Sequence, residues 1–170
     1  MTAHATDMVA LAVFAGALAC AAYCDIREYL IPNRFPAAIV LAYALFALGH
    51  PLEQGLWGLA VGMTMLVVGT ILFATGVMGG GDTKLLAAAG FWAGLDLAPA
   101  FLFVTALAGA AIGIAWLSPM RRLMPAAPVE AGMPTVDGDA GWRARLKQPV
   151  PYGVAIAVGG LYLAALRAFH

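Results

Sequence analysis

The amino-acid sequence predicts an all-α, polytopic membrane protein with six transmembrane helices, folded as a single integral-membrane domain over residues 1–170. Three observations lead there. Of the 170 residues, 63% are hydrophobic and only 11% are charged, far more apolar than an average soluble domain. Uncharged windows of about 17 to 23 residues recur, and roughly 20 apolar residues carry a helix across about 30 Å of hydrocarbon. Lys and Arg collect in alternate connecting segments, as a multispanning topology requires. The net charge of zero gives no sign of nucleic acid as a partner, and none is expected. The partner that the composition does imply is the lipid bilayer.

Hydropathy places helix 1 at about 7–25. Its apolar run, Met8 to Cys24, lacks the basic flank of a secretion signal and is followed by further spans, so it is retained. Cys20 and Cys24 lie inside it with no second cysteine pair and no flanking histidine, which makes them small buried side chains rather than a disulfide or zinc site. Helix 2, at about 35–49, is short. Helix 3, at about 56–78, carries Gly58 and Gly62, and helix 5, at about 97–118, carries Gly109 and Gly113; this spacing lets membrane helices approach closely. Helix 4, at about 84–95, is short enough to begin below the membrane surface or to pack as a partial span, with its boundary to helix 5 near Asp96 and Pro99.

A polar connection at about 119–149 precedes helix 6, at about 151–168. Its Trp142–Lys147 stretch either lies on the membrane surface or serves as a basic topogenic flank. Asp137-Gly138-Asp139 is similar to the start of a calcium loop, but Gln148 stands where the bidentate glutamate is needed, so no metal is expected. When connections are assigned to alternate sides, Arg27, Arg34, Lys84, Arg121, Arg122, Arg143, Arg145 and Lys147 fall on one face and only Arg167 on the other. The positive-inside rule makes the first face cytoplasmic and turns both termini outward.

An ionisable group within or at the edge of a span is costly and needs a reason. Asp25 ends helix 1 and Asp82 stands just before helix 4, at one face and similar depth. Paired carboxylates at one depth suit an aspartic peptidase: one takes a proton from water while the other, protonated, polarises the scissile carbonyl. Taken alone, each is more often an interfacial helix flank than a catalyst. However, Asp82 follows Gly79-Gly80-Gly81, and three glycines admit close backbone approach that a simple turn does not require. Other hydrolytic machinery is missing from that face. His4, His50 and His170 fall on the outer side, no HExxH motif occurs, and Ser118, the only serine, has no partner there.

Asp25-Ile26-Arg27-Glu28-Tyr29-Leu30-Ile31-Pro32-Asn33 resembles the first motif of the type IV prepilin peptidases, an aspartate followed after five residues by Ile-Pro-Asn. Gly79-Gly80-Gly81-Asp82-Thr83-Lys84 is similar to their second motif, G-x-G-D-x-K, and Pro151-Tyr152-Gly153 opens helix 6 in the family's manner. The resemblance implies a GxGD aspartic peptidase bundle in the inner (cytoplasmic) membrane, without a cofactor. Its substrate would be a prepilin or pseudopilin precursor, which loses its leader at the cytoplasmic face. It implies that Asp25 and Asp82 are catalytic. Larger members carry an N-terminal cytoplasmic segment with paired cysteines and methylate the new N-terminus; no such segment precedes helix 1, so the resemblance gives no basis here for methyl transfer, and the compact form most resembles the peptidases of tight-adherence (Flp-type) pili, with archaeal preflagellin peptidases sharing the core pattern.

Around the dyad, Gly79, Gly80 and Gly81 are expected to form a loop against which extended substrate backbone pairs. Pro32 either launches helix 2 or supports the site; Asn33 is a candidate to hydrogen-bond an aspartate or the substrate. Lys84 and Arg27 can tune the dyad, although loop cations already have a topological role. Helix-end electrostatics favour Asp82, before a helix N-terminus, as the ionised base and Asp25, after a C-terminus, as the protonated acid. The alternatives are a small transporter or channel component using Asp25 and Asp82 as a cation or proton site, and a non-catalytic scaffold. The aspartates' place at the membrane edge, rather than mid-bilayer, disfavours the first.

Overall fold

The computed structural model describes residues 2–117 and 151–169. The connection at about 119–149, with its basic residues, the Asp137-Gly138-Asp139 run and Ser118, lies outside the described residues, as does His170. Among those described, the fold is all-helical: α1 Thr2–Glu28, α2 Arg34–Leu48, α3 Leu52–Ala74, α4 Gly80–Leu117 and α5 Tyr152–Phe169. Four of these are long and apolar enough to cross a membrane, and α2, at 15 residues, is shorter.

The expected count of six is therefore not met. The expected helices 4 and 5 form one 38-residue element whose single non-helical residue is Gly94, at φ 57° and ψ −172°. Hydropathy divides this stretch at Asp96 because a charge interrupts the apolar run. The backbone instead breaks two residues earlier, at the residue that can adopt this conformation without a Cβ clash. Pro99 follows at about the first turn beyond the break, where a missing N–H is tolerated. Thirty-eight residues of unbroken helix would reach about 57 Å, nearly twice the hydrocarbon thickness, so a change of direction is required. Helix α3 also begins and ends earlier than expected: Pro51 caps its start, and Gly76, at φ 74°, lies just past its Thr75 C-cap.

Helix α4 is the centre of the bundle and packs against α2, α3 and α5, while α1 packs against α2 and α5. Phe14 of α1 stacks on Trp92 of α4 at 4.6 Å between ring centroids, and Trp92 Nε1 donates to the Ile39 carbonyl of α2 at 3.1 Å. Gly58 and Gly62 do bring α3 close: a Cβ at Gly62 would stand 2.6 Å from the Phe91 ring, and one at Gly58 would meet the Phe91 carbonyl at 2.5 Å. The second expected pair behaves differently, since Gly109 is in ordinary contact with Ala155 and nothing lies near Gly113. At the Gly94 break, where helical carbonyls lose their partners, Arg167 of α5 donates from Nη2 to the Trp92 carbonyl at 3.1 Å. The outward surface is lined by exposed apolar side chains such as Leu41, Leu45, Val67, Ile71, Phe103 and Leu107. Such a surface belongs in hydrocarbon rather than water, and the chain is an integral membrane protein.

Candidate active site

Four helix ends meet on one side of the bundle. Helix α1 continues three residues past Asp25 to Glu28, so Asp25 lies inside its last turn, with 4% of its surface exposed. Tyr29 then leaves the helix with φ 51°, and its N–H reaches back to the Asp25 carbonyl at 3.1 Å. A left-handed residue is the common way to end a helix, but glycine is the usual occupant. A bulky side chain held there, beside two buried carboxylates, is the kind of local strain that accompanies functional sites.

Helix α4 starts at Gly80, earlier than hydropathy suggests, which places Asp82 in its first turn with 8% exposure. The Asp82 carboxylate accepts a hydrogen bond from the Gly79 backbone N–H, as the third residue of a capping box does. Only Gly79 of the three glycines therefore lies outside the helix; Gly80 and Gly81 are helical, and the expected glycine-rich loop is not formed. Gly81 has a packing reason instead. A Cβ there would stand 3.0 Å from the Ile31 Cβ, so its absence lets the first turn of α4 lie against the α1–α2 connection. At Gly79 a Cβ would stand 2.9 Å from Asp82 Oδ2, whereas Gly80 is less confined, with Phe73 at 3.4 Å. Thr83, buried behind Asp82, has its hydroxyl 3.1 Å from the carbonyls of both Gly69 and Gly79 and can donate to either, which fastens this turn to α3.

Asp25 and Asp82 face one cleft of about 450 Å³, whose remaining wall is Tyr29 to Asn33, Gly79 to Gly81 and Lys84. The N-terminus of α5 lies against Asp25. Val154 N–H donates to Asp25 Oδ2 at 3.2 Å, and the Gly153 N–H is shared between the two carboxylates. They are near enough for the charge of one to act on the other. Asp82 Oδ1 is buried without a hydrogen-bond partner. A Cβ at Gly153 would fall 2.8 Å from Asp25 Oδ2 and 2.6 Å from Ile31 Cδ1, so only glycine permits this approach.

The remaining expected residues divide. Asn33 touches neither aspartate; its Oδ1 accepts from Lys84 Nζ at 2.9 Å. Pro32 precedes the Asn33 N-cap of α2 and offers its carbonyl to the Phe35 N–H at 3.1 Å, so it sits outside the helix rather than at its first position. His50 is remote, with Nδ1 2.9 Å from the Phe46 carbonyl and 4.0 Å from Asp7, and Asp7 to Asp25 is about 27 Å of helical rise. Tyr29, Ile31, Gly153 and Val154 were not singled out from sequence for this cleft. The Pro151-Tyr152-Gly153 helix start was the one available signal, and nothing in it says which helix end it would face.

A profile described as "Type IV leader peptidase family" matches residues 12–114, more than half of the chain and including both aspartates. The chain belongs to the type IV leader peptidase family. It is 34% identical over 152 residues to the prepilin leader peptidase/N-methyltransferase of Bacillus subtilis (strain 168), an alignment covering 88% of this chain and 52% of that relative. It is 34% identical over 125 residues to the protein of the same name from Stutzerimonas stutzeri, covering 69% and 40% of the two chains. It is 36% identical over 100 residues to the one from Xanthomonas campestris pv. campestris, covering 55% and 35%. This leader peptidase family chain thus spans between about a third and a half of the length of the curated relatives it matches. No solved structure matches it.

Proposed function

We propose that this chain is a membrane-embedded aspartic endopeptidase that cuts the leader from prepilin or pseudopilin precursors, with Asp25 and Asp82 as its catalytic pair. The observation that carries the reading is the meeting of two buried carboxylates, from α1 and α4, at one cleft beside one shared amide. A buried carboxylate is expensive, and a second beside it more so, unless the two share a proton.

Such a pair hydrolyses an amide without a cofactor. The ionised carboxylate takes a proton from water as the water oxygen bonds to the scissile carbonyl carbon, and the carbonyl oxygen takes the proton of the other carboxyl, giving a neutral gem-diol. The newly protonated carboxyl then gives its proton to the leaving nitrogen, the other carboxylate removes one from a gem-diol hydroxyl, and the C–N bond breaks. A new carboxyl and a new amine leave, and the pair returns to its starting state. The excess of Lys and Arg that the sequence places on the connections at the dyad's side supports an active site facing the cytoplasm.

The test is cleavage in proteoliposomes. Purified protein mixed with a pilin precursor is expected to yield a shortened product, and Asp25→Asn and Asp82→Asn to yield none while still inserting in the bilayer. A normal rate in either variant removes the aspartic mechanism.

A further inference from the structure

The mechanism above treats the two aspartates as interchangeable, but their surroundings are unequal. We propose that the N-terminus of α5 is a third part of the active centre: the amides of Gly153 and Val154 hold Asp25 as the carboxylate that takes the proton from water, leaving Asp82 to carry the proton. The inference rests on the aspartic reading of this site and adds the roles and the element that sets them.

The first-turn amides of a helix have no partner within the helix and point at whatever stands before its start. In α5, an 18-residue helix, what stands there is the Asp25 side chain: Val154 N–H donates to Oδ2 at 3.2 Å, while the Gly153 N–H is shared with Asp82. Hydrogen bonds from backbone N–H groups and the positive end of a helix both favour the ionised carboxylate. Pro151, buried at the turn into α5, removes one more N–H that would otherwise compete for the same oxygen.

The second, independent observation lies on Asp82. Its carboxyl also faces the Gly79 and Gly153 N–H groups, yet Oδ1 is buried with no hydrogen-bond partner. A charged carboxylate leaves such an oxygen at considerable expense, whereas a protonated carboxyl can use it to hold the proton and donate to a substrate carbonyl entering the cleft. Lys84, the cation of the same turn, does not change this, since its ammonium is directed to Asn33 Oδ1. The assignment reverses the one expected from helix ends. Helix α1 runs only three residues past Asp25 and Asp82 stays in the first turn of α4, but the N-terminus of α5 adds a further positive end that meets Asp25 directly through the Val154 N–H.

In the first cleavage step the Asp25 carboxylate accepts the proton of the attacking water and Asp82 delivers its own to the carbonyl oxygen. On collapse, Asp25 protonates the leaving nitrogen and Asp82 recovers a proton from the gem-diol. The amides keep Asp25 in one rotamer throughout and are positioning groups.

Chemical labelling of the wild-type protein in detergent reads the difference directly. An epoxide alkylates an ionised carboxylate, and a diazoacetyl compound esterifies a protonated carboxyl. Peptide mapping by mass spectrometry is expected to find the epoxide on Asp25 and the diazo ester on Asp82. Reversed labelling, or no difference between the residues, overturns the assignment while leaving the dyad intact, because the dyad stands or falls on the Asp25→Asn and Asp82→Asn cleavage assays. The role of α5 is read separately by replacing Val154 with its α-hydroxy acid, which exchanges the N–H for an ester oxygen without removing an intrahelical bond. A kcat reduced at least tenfold at unchanged KM, with epoxide labelling of Asp25 slowed, is expected; an unchanged kcat overturns the positioning role.

Discussion

Lys84 Nζ donates to Asn33 Oδ1 at 2.9 Å across the mouth of the cleft, joining the connection that follows α1 to the first turn of α4. The bond spans the two stretches that bring Asp25 and Asp82 into the site and fixes the gap between them. Both residues are exposed, so its net worth is at the lower end of the range for a hydrogen bond to a charged group, about 1 kcal/mol. Asn33→Leu and Lys84→Met are expected to lower the cleavage rate by about three- to tenfold. Asn33→Asp, which keeps an acceptor for the ammonium, should stay near wild type. Equal rates for all three in a steady-state assay would show that the pair has no part in holding the site.

Gly81→Val is expected to reduce cleavage at least about tenfold, through packing against Ile31. Overpacking of this kind costs about 1–3 kcal/mol, and here the displaced neighbour is the connection that leads away from Asp25. The double variant Gly81→Val, Ile31→Ala should recover part of the loss. A failure to recover, measured in the same assay, points to a different use of the glycine.

Gly94→Ala tests the break in α4. Its φ of 57° with ψ of −172° is a conformation almost restricted to glycine, and strain of about 1–3 kcal/mol is expected. Thermal unfolding in detergent should shift to a lower temperature, whereas Gly113→Ala, at a position with nothing nearby, should leave it unchanged. A stable Gly94→Ala protein would mean that the break can straighten.

Sidedness is open to a labelling experiment in a Cys20→Ala, Cys24→Ala background. Val77 is exposed near the cleft end of the bundle and Glu53 is exposed in the first turn of α3, at the other end. Val77→Cys should react with an impermeant maleimide only after the membrane is opened, and Glu53→Cys in intact cells. The opposite pattern would put the cleft on the outer face.

That Asp25 and Asp82 would lie at one face was legible because an ionisable group at the edge of an apolar span is so costly that its position marks it. The apolar spans were legible for the same reason. What hydropathy misjudged were places where backbone geometry, not polarity, sets the outcome. Asp96 interrupts the apolar run but Gly94 breaks the helix, because φ is decided by the missing Cβ. Gly79-Gly80-Gly81 reads as a loop, yet Gly80 and Gly81 are helical, and at Gly81 the packing against Ile31 needs the small volume more than the freedom. The approach of Val154 to Asp25 joins residues 129 positions apart, and no local pattern carries such a pairing.

Helix α5 grips α1 at one end, through the Val154 amide on Asp25, and α4 at the other, through Arg167 on the Trp92 carbonyl. The two grips are about 20 Å apart by helical rise. A rod pinned to two different neighbours behaves as a gauge: its tilt sets how far apart those neighbours stand, and the tilt of a membrane helix responds to bilayer thickness. The chemistry at one end of this protein would then be adjustable from the other. Cleavage rates compared in short-chain and long-chain lipids should diverge more for Arg167→Gln, which frees one end of the rod, than for the wild type, making the bilayer itself a setting on the catalytic pair.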